Sequence, residues 1–492
     1  MSSARVILAS AAIGGACLEA LTELLDVRFE FGEHADAPTF SVNADSVLSD
    51  RASLVVEFTA DAEPPLRNAR LPHLAFATRL VPSRGERVLA NADGRPVWTR
   101  SAAGDRVATG FEETRDRPLR ECVSLGRFLP ILPLIDFARR VAPTWTRPPL
   151  RAAFLFDDPN LHAMSYGYLD YRTVVRANIH VAVAMIPLDA WYASRDAVAL
   201  FRERSDALSI VCHGNDHLRR ELARDEEREA VTRRLVQAVR RIRRFEERYG
   251  VHVQRVMAPP YGVCSQVAAE ELLAAGFEAL CVSRPYPWLS APPVDRPLAG
   301  LQPAEVVVGG LPVIPRLHLG QPHDELVLRA FLGQPVILYG HHEDVSSGTD
   351  VLLDAAADVA RLGPAQWSTL EDICRSNYES RVVGDQLRLR LHTRRAQVRI
   401  PEGVQTICVE TGIGFSESLR VRMRSAATIL EQEVVDGQAR FTPGVTPAVV
   451  ELEVLLDEAL EPPASPGLPH PWPWIRRAVT EGRDRGRVRL GR

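Results

Sequence analysis

Arg151-Ala152-Ala153-Phe154-Leu155-Phe156-Asp157-Asp158-Pro159 is a short apolar run that ends on two carboxylates and a proline. A continuous apolar run of this length fits a strand buried on both faces, the habit of parallel sheets. Polar residues at its carboxyl end fall where parallel α/β folds place their chemistry. Three later stretches repeat the arrangement. Ser209 to Cys212 ends on His213-Gly214-Asn215-Asp216-His217, and Val256-Met257 leads into Ala258-Pro259-Pro260-Tyr261-Gly262. Val336-Ile337-Leu338 leads into Tyr339-Gly340-His341-His342-Glu343-Asp344.

Helical patterns lie between such runs, at 171–177, 197–204 and 218–249, and the alternation predicts β/α units forming a parallel sheet or barrel. At 492 residues the chain is too long for one compact domain. We read residues 1–147 as an N-terminal α/β accessory domain and 148–380 as the catalytic domain. Residues 381–460 alternate with period two and predict a β-sandwich. Residues 461–492 read as a Pro- and Arg-rich disordered tail, with a membrane surface or another protein as its alternative use.

Composition narrows the chemistry. All 59 basic residues are arginine, so Schiff-base catalysis and a phosphate-loop lysine are excluded. A net charge of −4 gives no electrostatic case for nucleic acid. The eleven arginines between 219 and 248 interleave with seven acids, which predicts a solvated outer helix laced with ion pairs. Seven cysteines without a C-x-x-C pair argue against a disulfide framework and for a reducing compartment, hence the cytoplasm. The apolar start after Arg5 superficially resembles a signal peptide, but helical spacing resumes at once from Leu18, so strand, Gly-Gly turn and helix is the expectation. No run approaches the ~18 apolar residues of a membrane span.

The clusters point to a divalent metal. Such an ion on nitrogen and carboxylate ligands needs three protein ligands and open positions for water and substrate. His213 and His217 stand four apart, so one helical turn can aim both imidazoles at a single point, with Asp158 as third ligand. Asp157 beside it can act as base, and His341 or His342 can protonate a leaving group. Taken singly, each motif has a plainer reading: two exposed histidines, an Asp-Asp-Pro turn, a rigid proline loop.

Together, Asp157-Asp158, His213-x-x-x-His217, the Pro260-Tyr261 loop and the late His341 resemble the polysaccharide deacetylase superfamily, carbohydrate esterase family 4. The resemblance covers Arg151 to about Trp367, less than half of the chain. It implies a distorted (β/α) barrel, a zinc ion, and hydrolysis of an N-acetyl group on a sugar. By position, Asp157 resembles the base, Asp158, His213 and His217 the metal ligands, and Tyr261 the residue whose backbone N–H helps hold the oxyanion. His341 resembles the acid, with His342 close behind. Tyr166, Pro260 and Trp288 are candidate substrate contacts, with Tyr168, Tyr171 and Trp191 as further aromatic walls.

The chain also departs from the pattern. Pro159-Asn160 follows the Asp pair where the family has glycine, and Ala258 stands where it has the arginine that orients the base. Its late Asp-x-x-Asp-Trp element is not visible, and Arg284-Pro285-Tyr286-Pro287-Trp288 lies roughly in that place. The leading function is therefore a metal-dependent N-deacetylase acting on a sugar or glycoconjugate. The alternatives are a carbohydrate-binding scaffold on a worn deacetylase barrel, for which Ala258 speaks, and a non-haem iron redox enzyme. Against the last, the common His-x-Asp spacing is absent.

Overall fold

Asp157 owes its position to strand parity. In the computed structural model every residue of Arg151–Asp157 is buried, and Ala153 and Leu155 face an interior cluster with Ala182, Val211, Val256 and Ile314. Side chains alternate across a strand, so Asp157 continues the inward row at its open end. The even-numbered Phe154 and Phe156 face outward, into the core beneath the helices. The interior row is rich in alanine and valine, which suits the narrow bore of a closed sheet.

The structure describes residues 4–9, 13–32, 37–43, 48–110, 119–124, 126–176, 179–223, 227–283, 300–304, 306–320, 323–411, 419–426, 428–443, 448–455 and 471–489. Arg151–Asp157 lies between Val181–Met185 and Val336–Gly340, parallel to both. Beyond Val181–Met185 follow Leu208–Cys212, Val253–Met257, Ala279–Val282 and Leu311–Pro315, all parallel. Leu317–His318, directly after Leu311–Pro315 in the chain, pairs with Val336–Gly340 at the other end of the sheet. The stretch 311–318 thereby seams the two ends together, and Arg316 sits at the seam. The helix Leu370–Arg375 places Leu370, Ile373 and Cys374 in the interior cluster. This is the expected distorted (β/α) barrel.

Ahead of the barrel, an eight-stranded mixed sheet runs from Ala4–Leu8 to Gly104–Val107. The helices Gly15–Leu25 and Ile131–Val141 accompany it. The predicted strand and helix at the start are both present. After the barrel, two four-stranded sheets enclose a separate core around Leu389, Val409, Val421 and Phe441. The Pro- and Arg-rich end corrects the sequence reading: Trp472–Arg489 is a helix, and it packs on the barrel. Among the described residues no helix is long and apolar enough to cross a membrane.

Candidate active site

Four strand ends deliver their first inward or post-strand residues to one place. Asp158 follows Asp157 with φ +77°, a left-handed conformation that turns the chain off the strand. His213 follows Cys212 with the inward parity of Val211, and its side chain is fully enclosed. One ligand oxygen or nitrogen from each of Asp158, His213 and His217 lies within 4.8 Å of the others.

The loop that carries the two histidines is not the helical turn the i, i+4 spacing suggests. Gly214 and His217 both have positive φ, +65° and +55°. The buried Glu221 carboxylate ties the loop by accepting the backbone N–H groups of Asn215 at 2.7 Å, Asp216 at 3.1 Å and His217 at 3.2 Å. A Cβ at position 214 would lie 1.9 Å from Glu221 Oε1, so only glycine fits. The Arg-rich helix Arg228–Tyr249 also faces this loop: Arg241 binds Asp216 Oδ1 at 2.6 Å, and Gln237 accepts from the Asn215 amide at 2.7 Å. The structure brings together the two histidines that the spacing pairs, but through a left-handed loop rather than a helical turn.

The donor set fits a divalent ion. His213 Nδ1 lies 2.7 Å from the Ala258 carbonyl, a contact that fixes the proton on Nδ1 and leaves the Nε2 lone pair for the site. His213 Nε2 and His217 Nε2 stand 3.7 and 3.1 Å from Asp158 Oδ1. That oxygen is buried and accepts no hydrogen bond. Burial, against the pull of Asp158, lowers the His217 pKa to about 4 and keeps the ring neutral at physiological pH. Burial would raise the Asp158 carboxyl, but His217 and His213 overcome it and hold its pKa down at about 2. Two imidazole nitrogens beside an orphaned carboxylate oxygen make three lone-pair donors, an arrangement that a cation completes.

Asp157 is held apart from this trio by a residue the sequence reading missed. Arg316 Nη1 and Nη2 fork onto Asp157 Oδ1 and Oδ2 at 2.6 and 2.7 Å, both side chains almost wholly buried. Its guanidinium lies over the Tyr339 ring, 4.3 Å from the centroid. Burial pushes the Asp157 carboxyl up, yet Arg316, helped by His213, holds it below the usual carboxylate range. Ala258 thus offers Asp157 no guanidinium, and Arg316 at the seam does. The signal was present: Val313-Ile314-Pro315-Arg316 is also an apolar run closing on a polar residue.

The late histidines part company. His341 is exposed, its backbone N–H held by Asp344 Oδ2 at 2.7 Å, and it acts electrostatically on both Asp157 and Asp158. His342 is buried, its ring 5.4 Å from that of Tyr166 and 5.8 Å from that of Tyr168. Tyr261 is exposed with φ +64°, its ring stacked 6.3 Å from that of His217. Pro260 is buried under the same loop. Tyr171 is core, its hydroxyl donated to the Asn160 carbonyl at 2.7 Å, and so is no wall. Trp191 is exposed and packs beside Trp474 of the C-terminal helix, centroids 6.4 Å apart. Trp288 and the segment around it lie outside the described residues.

A cavity of about 370 Å³ opens over these groups, with Asp158, Tyr166, His217, Tyr261 and both late histidines along one side. Its other side is the C-terminal helix, through Pro473, Arg476, Arg477 and Thr480. A larger cavity of about 500 Å³ on the sandwich is walled by arginine–glutamate pairs such as Arg395–Glu453 and holds no such convergence of ligands.

No family model matches the chain, and no curated protein does. Among solved structures, it is similar to the carbohydrate deacetylase Agd3, at 8% identity and TM-score 0.42, over 91% of this chain and 99% of that one. It is similar to the family 4 carbohydrate esterase of Streptomyces lividans at 11% identity and TM-score 0.24, over 44% of this chain and 87% of that one. A Streptococcus mutans CE4 esterase also matches, at 11% identity and TM-score 0.23, over 43% of this chain and 80% of that one. Carbohydrate deacetylases, which the sequence motifs resemble, are among the solved structures to which this chain is similar.

Proposed function

We propose that the chain is a metal-dependent hydrolase that removes an N-acetyl group from a sugar or glycoconjugate. The observation that carries the reading is the separation of two adjacent carboxylates: Asp158 turned to two imidazole nitrogens, Asp157 turned to a buried arginine. Asp158, His213 and His217 would hold a divalent ion, zinc in this reading, which would supply Lewis acidity toward the acyl carbonyl and lower the pKa of a water toward neutrality. Asp157, kept anionic and oriented by Arg316, takes the proton from the attacking water. The Tyr261 backbone N–H donates to the oxyanion as it develops. His341 gives its proton to the leaving amine, while His342 stays packed between tyrosines as a wall. The cavity of about 370 Å³ supports a small polar substrate such as an acylated sugar.

The scaffold alternative rested on Ala258 and on the two extra domains, and Arg316, which holds Asp157 from the seam, answers the first of these. The non-haem iron alternative shares the donor set and is separated by reaction rather than by geometry. The deciding experiment measures metal content by elemental analysis and acetate release from a panel of N-acetylated sugars. About one ion per chain with acetate release is expected. A metal-loaded protein that releases no acetate, or that consumes oxygen with ferrous ion, overturns the proposal.

A further inference from the structure

Two of the three converging ligands, Asp158 and His217, carry side chains yet adopt left-handed backbone, φ +77° and +55°. Such conformations are uncommon outside glycine, and although Asp and His tolerate them better than most residues, outside contacts stabilise them. Both are gripped from outside the barrel by neighbouring residues of one helix. Arg477 Nη2 donates to the Asp158 carbonyl at 3.0 Å, and Arg476 Nη1 donates to the His217 carbonyl at 2.9 Å. Arg477 is itself fixed by a fork onto the buried Asp189, Nε at 2.8 Å and Nη2 at 2.7 Å from Oδ2. Pro473, Arg476, Arg477 and Thr480 form one helical face, and that face lines the cavity.

We propose that the helix Trp472–Arg489 is a clamp on the metal site. Arg476 and Arg477 are positioning residues that hold the backbone of two ligands in the orientation the ion needs. The proposal rests on the metal reading above. The clamp and the ion act on the same two residues, so they are thermodynamically linked. Docking of the helix raises metal affinity, and the ion raises helix docking by the same factor. The barrel alone, on this account, carries the ligands but not their geometry.

The test uses the full chain and zinc itself, with affinity measured by chelator competition. Arg476→Ala leaves the buried Arg477–Asp189 pair in place, so the fold survives. It should bind zinc about 10-fold more weakly, and Arg477→Ala up to about 100-fold, the range seen when outer partners of metal ligands are removed. Arg476→Lys, which still donates to the carbonyl, should recover part of the loss. Saturating zinc should slow trypsin cleavage within 471–489 in the wild-type protein, and should slow it less in Arg476→Ala. Wild-type zinc affinity in Arg476→Ala together with no zinc protection of the helix overturns the clamp and leaves the metal reading standing. A wild-type protein that binds no zinc overturns both.

Discussion

Replacing Arg316 with alanine strands a buried carboxylate. In the wild-type protein Asp157 receives two charge-assisted bonds at 2.6 and 2.7 Å, and the next cationic candidate, His213 Nδ1, is 3.9 Å away and already engaged with a carbonyl. Removing one partner of a buried pair costs about 3–5 kcal/mol, a large share of a domain's total of about 5–15 kcal/mol. The pH dependence gives a sharper signature than the size. With Arg316 present the Asp157 pKa is lowered, so the pair contributes stability above the unfolded value of about 3.8 that is lost as pH falls. Without it burial is the dominant influence and the carboxyl pKa rises above the unfolded value. Arg316→Ala should then lose further stability as pH rises from about 4, a window in which the pair's contribution to the wild type is already complete and flat. Denaturant unfolding of both proteins between pH 4 and 7 reads this directly, and Arg316→Lys, a point charge without the fork, should fall between them. A loss below about 1 kcal/mol with parallel pH profiles would refute the view that Arg316 holds Asp157.

Asp158→Asn should lose metal and activity together, whereas Asp157→Asn should keep metal and lose on the order of 10²-fold in kcat; equal metal loss in both denies the division of roles. His341→Ala should lower kcat with little change in metal content, while His342→Ala, which empties a site packed between Tyr166 and Tyr168, should act mainly on stability or KM; a larger kcat loss at His342 reverses the assignment. In the N-terminal sheet, burial lowers the His73 pKa to about 4, and its Nε2 accepts the Leu129 N–H at 3.2 Å. A depressed histidine contributes stability above its unfolded value of about 6.5 that is lost as pH falls, so the wild type should lose about 2 kcal/mol between pH 7 and 5 that His73→Gln keeps. Equal losses in the two proteins would show that His73 is not the titrating group.

The strand ends of the candidate site were legible because each polar cluster directly follows an apolar run, and in a closed parallel sheet that position is the open end of the bore. Asp157, His213 and Arg316 share this logic, though the last escaped notice because a lone arginine after Pro315 carries no paired motif. Glu221 was hidden differently: in a stretch crowded with charge, nothing in sequence separates the carboxylate that turns inward to bind four backbone N–H groups. The C-terminal helix was misread because its Pro and Arg content predicts solvent. It holds its form through tertiary contacts, chiefly Arg477 with Asp189, rather than through intrinsic propensity.

The central place of Arg151–Asp157 also matters while the chain is being made. One of its two main partners, Val181–Met185, follows soon, but the other, Val336–Gly340, leaves the ribosome far later. At ordinary rates of synthesis, roughly 180 residues of delay last on the order of 10–40 s. Throughout that interval Ala152-Ala153-Phe154-Leu155-Phe156 offers an open, apolar pairing edge. The strand that ends on Asp157 is therefore an aggregation hazard of the nascent chain, and yield in a cell should depend on holdase chaperones more than native stability alone suggests.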